Sequence, residues 1–161
     1  MSISDWCQIV TAATASISFI SSAAIRYRNN VFAVANLVST WLEDNDSKLL
    51  ISNQSNTSLY NVFVFSDLNV FEGCLLEHLD RIQEFSCPHF YYETFPAHKI
   101  LVNDFQQNNA AGGQHLIPAM LFTDTNGHYW YRKPSGKLVH LHSSYMNELV
   151  KRAYVLGHVK A

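Results

Sequence analysis

The chain has little that would organise it covalently or electrostatically. Of its 161 residues only three are cysteines, Cys7, Cys74 and Cys87. An odd number at no recognisable spacing argues against a disulfide framework and for a reducing compartment. Cys74 and Cys87 would be the pair to form if the chain were exported. Charged residues make up 15% of the chain and sum to −2. From Val31 onward, nine Lys and Arg stand against twelve Asp and Glu. No basic face is expected to meet a phosphate backbone, which argues against nucleic acid as a primary partner. Also missing are a phosphate-cradling glycine loop, a Gly-x-Ser-x-Gly elbow and a His-Glu-x-x-His pair. The sequence therefore points to no enzyme, no catalytic residue, no cofactor and no metal. What is plentiful is apolar: 48% hydrophobic residues exclude bulk disorder, and 13% aromatics lean towards strands.

The longest absence is one of charge. Trp6 to Ile25 contains no ionisable Asp, Glu, Lys or Arg, no proline and no glycine. Through it runs a seam in 3-4 alternation: Ile3, Trp6, Val10, Ala13, Ile17, Ile20, Ala24, Tyr27, Val31, Val34, Val38 and Trp41. That is a helical stripe held for more than five heptads. About 20 uncharged residues match a bilayer core. Trp6 and Tyr27 sit at the ends, and Arg26 and Arg28 follow. The positive-inside rule then places a single-pass anchor in the cell membrane with the C-terminal part in the cytoplasm. Against a span, the segment has no leucine, and Thr11, Thr14, Ser16, Ser18, Ser21 and Ser22 dilute it. Small pairs such as Ala12/Ser16 and Ser18/Ser22 suit helix packing in lipid or in a soluble bundle. Either environment predicts self-association through Trp6, Val10, Ala13, Ile17, Ile20 and Ala24. The helix is assigned to residues 1–36, handing over to a strand between Ala35 and Ser39.

The remaining residues, 37–161, read as one β domain. Strands are expected at Val38–Glu43, Lys48–Asn53, Leu59–Leu68, His98–Phe105, Leu116–Thr123, His128–Lys133 and Lys137–His142, and the aromatic patch Phe90–Tyr92 is either a strand or an exposed binding surface. Turns lie at Asp44–Ser47, Asn53–Ser58, Asp124–Gly127 and Pro134–Gly136, with a loose loop over Gln106–Gln114. Leu59–Leu68 is apolar on both faces, which marks a central strand. Pro118, near the start of Leu116–Thr123, suggests an edge strand or a strand entry. Phe71–Phe85 repeats at helical spacing, as a core cover or a docking helix. A last helix carries the stripe Tyr145, Met146, Leu149, Val150, Ala153 and Tyr154, capped by Ser143 or Ser144. Seven or so short strands with turns every eight to twelve residues give an immunoglobulin-like β-sandwich, mainly β with helices.

The hairpin Phe122-Thr-Asp124-Thr-Asn-Gly127-His-Tyr-Trp130-Tyr-Arg132, followed by Gly136-Lys137-Leu138, resembles a family of uncharacterised small bacterial proteins, mostly actinobacterial. So do the Val-Ser-x-Trp opening (Val38, Ser39, Trp41) and the Asn…Tyr-x-Val strand (Asn53, Tyr60, Val62). The resemblance implies an N-terminal membrane helix followed by a β-sandwich, and no activity. The chain departs from that family in the Phe71–Phe85 and C-terminal helices.

Three constellations invite chemistry. His140 and His142 share one strand face, and His128 on the next strand joins them only if it pairs with His142 rather than Leu141. Three imidazoles there would suit zinc, and no acidic neighbour is evident to orient them. Surface histidines are the plainer alternative. Cys87 with His89 and His98 resembles a nucleophile and base by spacing alone. Asp67, Asp104 and Asp124 sit at strand ends or turns, where aspartate has structural work. The best candidate is a binding surface. If Trp130 points inward, Tyr129 and Tyr131 point outward beside Arg132, unless a helix covers them. The expected protein is a non-catalytic, membrane-anchored scaffold that binds itself and an unidentified protein. A soluble homo-oligomeric assembly subunit is the alternative, and a metal-dependent hydrolase built on the histidines comes third.

Overall fold

The computed structural model describes residues 3–43, 47–68, 74–84, 88–105 and 116–154. Expectations for the Asp44–Asp46 turn, the Gln106–Gln114 loop, Phe71, Phe85 and Cys87 lie outside the described residues. The chain divides into two compact units, residues 1–33 and 34–161.

The first unit is most of α1, Ile3–Asn36, an unbroken helix. The Thr14 hydroxyl is satisfied within the helix, 3.0 Å from the Val10 carbonyl oxygen. Its large apolar side chains are bare: Ile17 is 65%, Ile20 67% and Phe19 77% exposed. Among the described residues no helix is long and apolar enough to cross a membrane. Six Ser and Thr side chains and the lack of leucine account for the dilution of the Trp6–Ile25 segment.

The second unit is built from eight strands. β1 (Val38–Glu43), β2 (Lys48–Asn53) and β5 (Lys99–Asp104) form one antiparallel sheet in the order β1-β2-β5. β3 (Leu59–Leu68), β4 (His89–Phe95), β6 (Leu116–Thr123), β7 (Tyr129–Arg132) and β8 (Leu138–Leu141) form the other, in the order β4-β3-β6-β7-β8. The two sheets make a sandwich-like pair. Side chains alternate across strands, so one set of the larger sheet, including Val62, Val64, Met120, Phe122 and Trp130, is buried on one face. The other set, Phe63, Phe65, Leu121 and Tyr131, packs with Leu79 and Ile82 of α2 (Leu75–Glu84) and Leu149 of α3 (Met146–Lys151). Helices therefore cover one face of the five-stranded sheet.

Two details refine the sequence expectation. β6 is central, between β3 and β7, so Pro118 marks the entry of the strand and not an edge. The reason is local: β7 pairs only with Met120–Thr123, so at Pro118 the strand has β3 as its one neighbour and needs no second ladder. The last helix is short, with Tyr145 at its N-cap and Val150 exposed. Ser144 still contributes, its hydroxyl accepting the Met146 N–H at 3.3 Å.

The sheets are tied by buried polar groups. Asn53 ends β2; its amide donates to the Thr57 and Pro96 carbonyls, each at 2.9 Å, and its oxygen accepts the Ser55 hydroxyl at 2.6 Å. The Asn103 amide donates to the Tyr92 hydroxyl at 2.6 Å, joining β5 to β4. Within β3, Asn61 takes φ 51, and the register slips there. Asparagine tolerates this left-handed conformation, and its carbonyl accepts the buried Tyr145 hydroxyl at 2.6 Å.

Candidate functional site

The Asp124–Gly127 turn sets the geometry of the β6–β7 hairpin. Gly127 has φ 79, the left-handed conformation the turn requires. Asp124 is only 2% exposed. One carboxylate oxygen accepts the backbone N–H of Asn126 (2.9 Å) and His128 (3.0 Å); the other accepts the Trp130 indole N–H (2.9 Å) and lies 3.1 Å from His128 Nδ1. Asp124 is thus the turn aspartate its sequence position suggests, and also holds two side chains of the following strand.

That hold brings the histidines together. Tyr129 pairs with Leu141 and Trp130 with His140, so the register carried one step further sets His128 opposite His142, as the histidine reading requires. The His128 and His140 rings lie 5.4 Å apart and those of His140 and His142 5.7 Å, with Trp130 4.9 Å from His140. Burial first, then the neighbouring charges of His128 and His142, push the His140 imidazole below its ordinary value, with Asp124 opposing. The acidic neighbour that the sequence does not reveal is Asp124. Among the described residues, however, no group of three or more His, Cys, Asp or Glu side chains is placed to hold a metal ion. His89 and His98 stand at the start of β4 and in the β4–β5 turn, His98 with φ 53.

Of the two arrangements open to the aromatic hairpin, exposed or covered by a helix, the tyrosines take the covered one. Trp130 is buried on one face of the sheet, yet Tyr131 is also buried, at 1% exposure, on the other. Its ring stacks on Phe65, and its hydroxyl lies 2.8 Å from His78 Nδ1 on α2. Tyr129 is half-buried and meets Tyr145 edge-on at 6.0 Å. Tyr129 and Tyr131 therefore belong to the layer under the helices.

Arg132, the third member of that trio, lies on the opposite face and lines a cleft of about 630 Å³. β7 stops at Arg132, so Ile117 and Pro118 of β6 lack a neighbour on that side; the Lys133–Gly136 turn and Thr40–Leu42 of β1 complete the walls. The guanidinium donates from Nη1 to the Gly136 carbonyl and from Nη2 to the Ala35 carbonyl, both at 2.9 Å. Its Nε is buried without an acceptor, and burial lowers its pKa. The Trp41 indole, also on the cleft wall, donates to Glu43 at 2.8 Å. The short spacing Val-Ser-x-Trp marks Trp41 in the sequence, but nothing local pairs it with Arg132, 91 positions away.

The seam residues Trp6, Val10, Ala13, Ile17, Ile20 and Ala24 all fall on α1 and are all exposed. No family model matches the chain, and neither a curated protein nor a solved structure matches it.

Proposed function

We propose that this protein is a non-catalytic binding or scaffolding subunit that presents its β domain in several copies by self-association through α1. One observation carries this reading: the large apolar side chains described between Trp6 and Tyr27 of the 34-residue α1 are exposed. Fully burying a residue such as Ile17 or Ile20 is worth about 1.5–3 kcal/mol, and isolated helices gain little stability from propensity alone. A seam without a break between copies supplies that burial, by knobs-into-holes packing. In this reading the β domain is immunoglobulin-like. The order β1-β2-β5 opposite β4-β3-β6-β7 corresponds to A-B-E opposite C′-C-F-G, and such sandwiches serve widely as binding modules.

A second reading places the same helix in a bilayer as a single-pass anchor, with the β domain on the cytoplasmic side. It is supported by Phe19 and Ile25, which lie outside the seam and are exposed, by the uncharged run from Trp6 to Ile25, and by Arg26 and Arg28 beyond it. The resemblance to small bacterial membrane proteins belongs with this reading.

Fractionation of the expressed full-length chain separates the two. Under the first reading it is soluble and elutes as a defined oligomer, and Ile17→Asp weakens assembly by about tenfold or more. Retention in the membrane pellet after carbonate extraction would establish the anchor instead. A soluble monomer, unchanged by Ile17→Asp, would remove both.

A further inference from the structure

Arg132 carries a charge that the fold has half-buried and not neutralised. Its two hydrogen bonds go to neutral carbonyls, those of Gly136 and Ala35. Among the described residues no carboxylate pairs with it. A guanidinium has five N–H donors, so one remains on each terminal nitrogen. Removing such a cation from water without a counter-charge is costly unless something else supplies one. Lys133 follows it on the same cleft, and Trp41, Pro118 and Pro134 give the walls flat apolar surface beside the polar Thr40 and Ser135. About 630 Å³ is within the usual range for a small-molecule site.

We propose that this cleft binds an organic carboxylate with a planar apolar body. The carboxylate meets the free Arg132 N–H groups in the planar fork that guanidinium offers, Lys133 adds attraction at the rim, and the body lies on the Trp41 indole between the two prolines. The same chemistry is available from a free aromatic acid or from the C-terminus of a peptide. Apart from the Ala35 carbonyl that holds Arg132, the site uses nothing of α1, and it stands or falls separately from self-association.

The test is titration of the full-length chain, followed by calorimetry and by the NMR signal of the Trp41 indole N–H, identified by its loss in Trp41→Phe. The probes are benzoate, benzamide and N-acetylphenylalanine. Benzoate is expected to shift the Trp41 signal and to bind about tenfold more tightly than the neutral benzamide. Arg132→Gln is expected to remove that preference. Because Arg132 also tethers Ala35 and Gly136, Lys133→Gln provides a second variant at a less critical position, with about threefold weaker binding expected. Tighter binding of N-acetylphenylalanine than of benzoate assigns the site to peptide C-termini; the reverse assigns it to small acids. Equal binding of benzoate and benzamide, an unmoved Trp41 signal, or a folded Arg132→Gln protein with unchanged affinity would each overturn the proposal.

Discussion

Four donors converge on the Asp124 carboxylate, two from the backbone of its own turn and two from the side chains of His128 and Trp130. Replacing it with alanine leaves the buried Trp130 N–H without its acceptor and frees the turn. Asp124→Ala is expected to cost about 3 kcal/mol, read as a lower urea midpoint with an unchanged slope. The turn role follows from Asp-x-Asn-Gly; the indole and imidazole partners do not, because they depend on which way β7 twists out of the turn. His140 gives a pH-dependent contribution of known sign. Its folded value lies below the ordinary one, chiefly through burial and then through His128 and His142. Its contribution to stability is therefore present above about pH 6.5, the unfolded value, and is lost as pH falls through the folded one. The urea midpoint should drop between about pH 7 and about pH 5, and His140→Gln should lessen the drop.

Among the elements, the strands are the most legible. β1, β2, β3 and β6 keep the boundaries that alternation and turn residues predict, because polar turn chemistry on the sequence itself marks at least one end of each. Asn53 does more than end β2: it reaches the Pro96 carbonyl beyond β4, a contact separated by 43 positions and invisible to local pattern. Asn53→Ala should cost about 2 kcal/mol by stranding these partners, measurable by thermal or urea unfolding. The helices are less legible. A helical stripe over Phe71–Phe85 announces α2, but only the tertiary packing makes it the cover that buries Tyr131. Alternation alone sends Tyr131 to the opposite side from Trp130, and that much holds. Whether that side is water or protein is decided by elements 47 and more positions away on one flank and 14 or more on the other.

At the scale of the whole molecule, the described buried hydrophobic core begins at Ala35. Residues 34–161 hold both sheets, α2 and α3. A fragment starting at Val34 should therefore fold cooperatively, with a thermal midpoint within about 3 °C of the full-length chain, and should be a monomer at concentrations where the full chain assembles. Differential scanning calorimetry and light scattering check both halves. A fragment that stays unfolded would mean that residues 1–33 are needed for folding.

The amino-acid sequence alone determined the period of each segment. It specifies an N-terminal helix that passes directly into a strand, a central β3 and a tight Asn-Gly hairpin. These are properties of spacing and turn chemistry, carried within a few residues. Tertiary structure decided what each face meets. It put Tyr129 and Tyr131 under helices, drew His128, His140 and His142 together with His128 against Asp124, and ended β7 early enough to open a cleft beside Arg132. Those outcomes depend on strand order and register, which are set by burying the two faces of a sheet at once. No window of sequence shorter than the domain contains that condition.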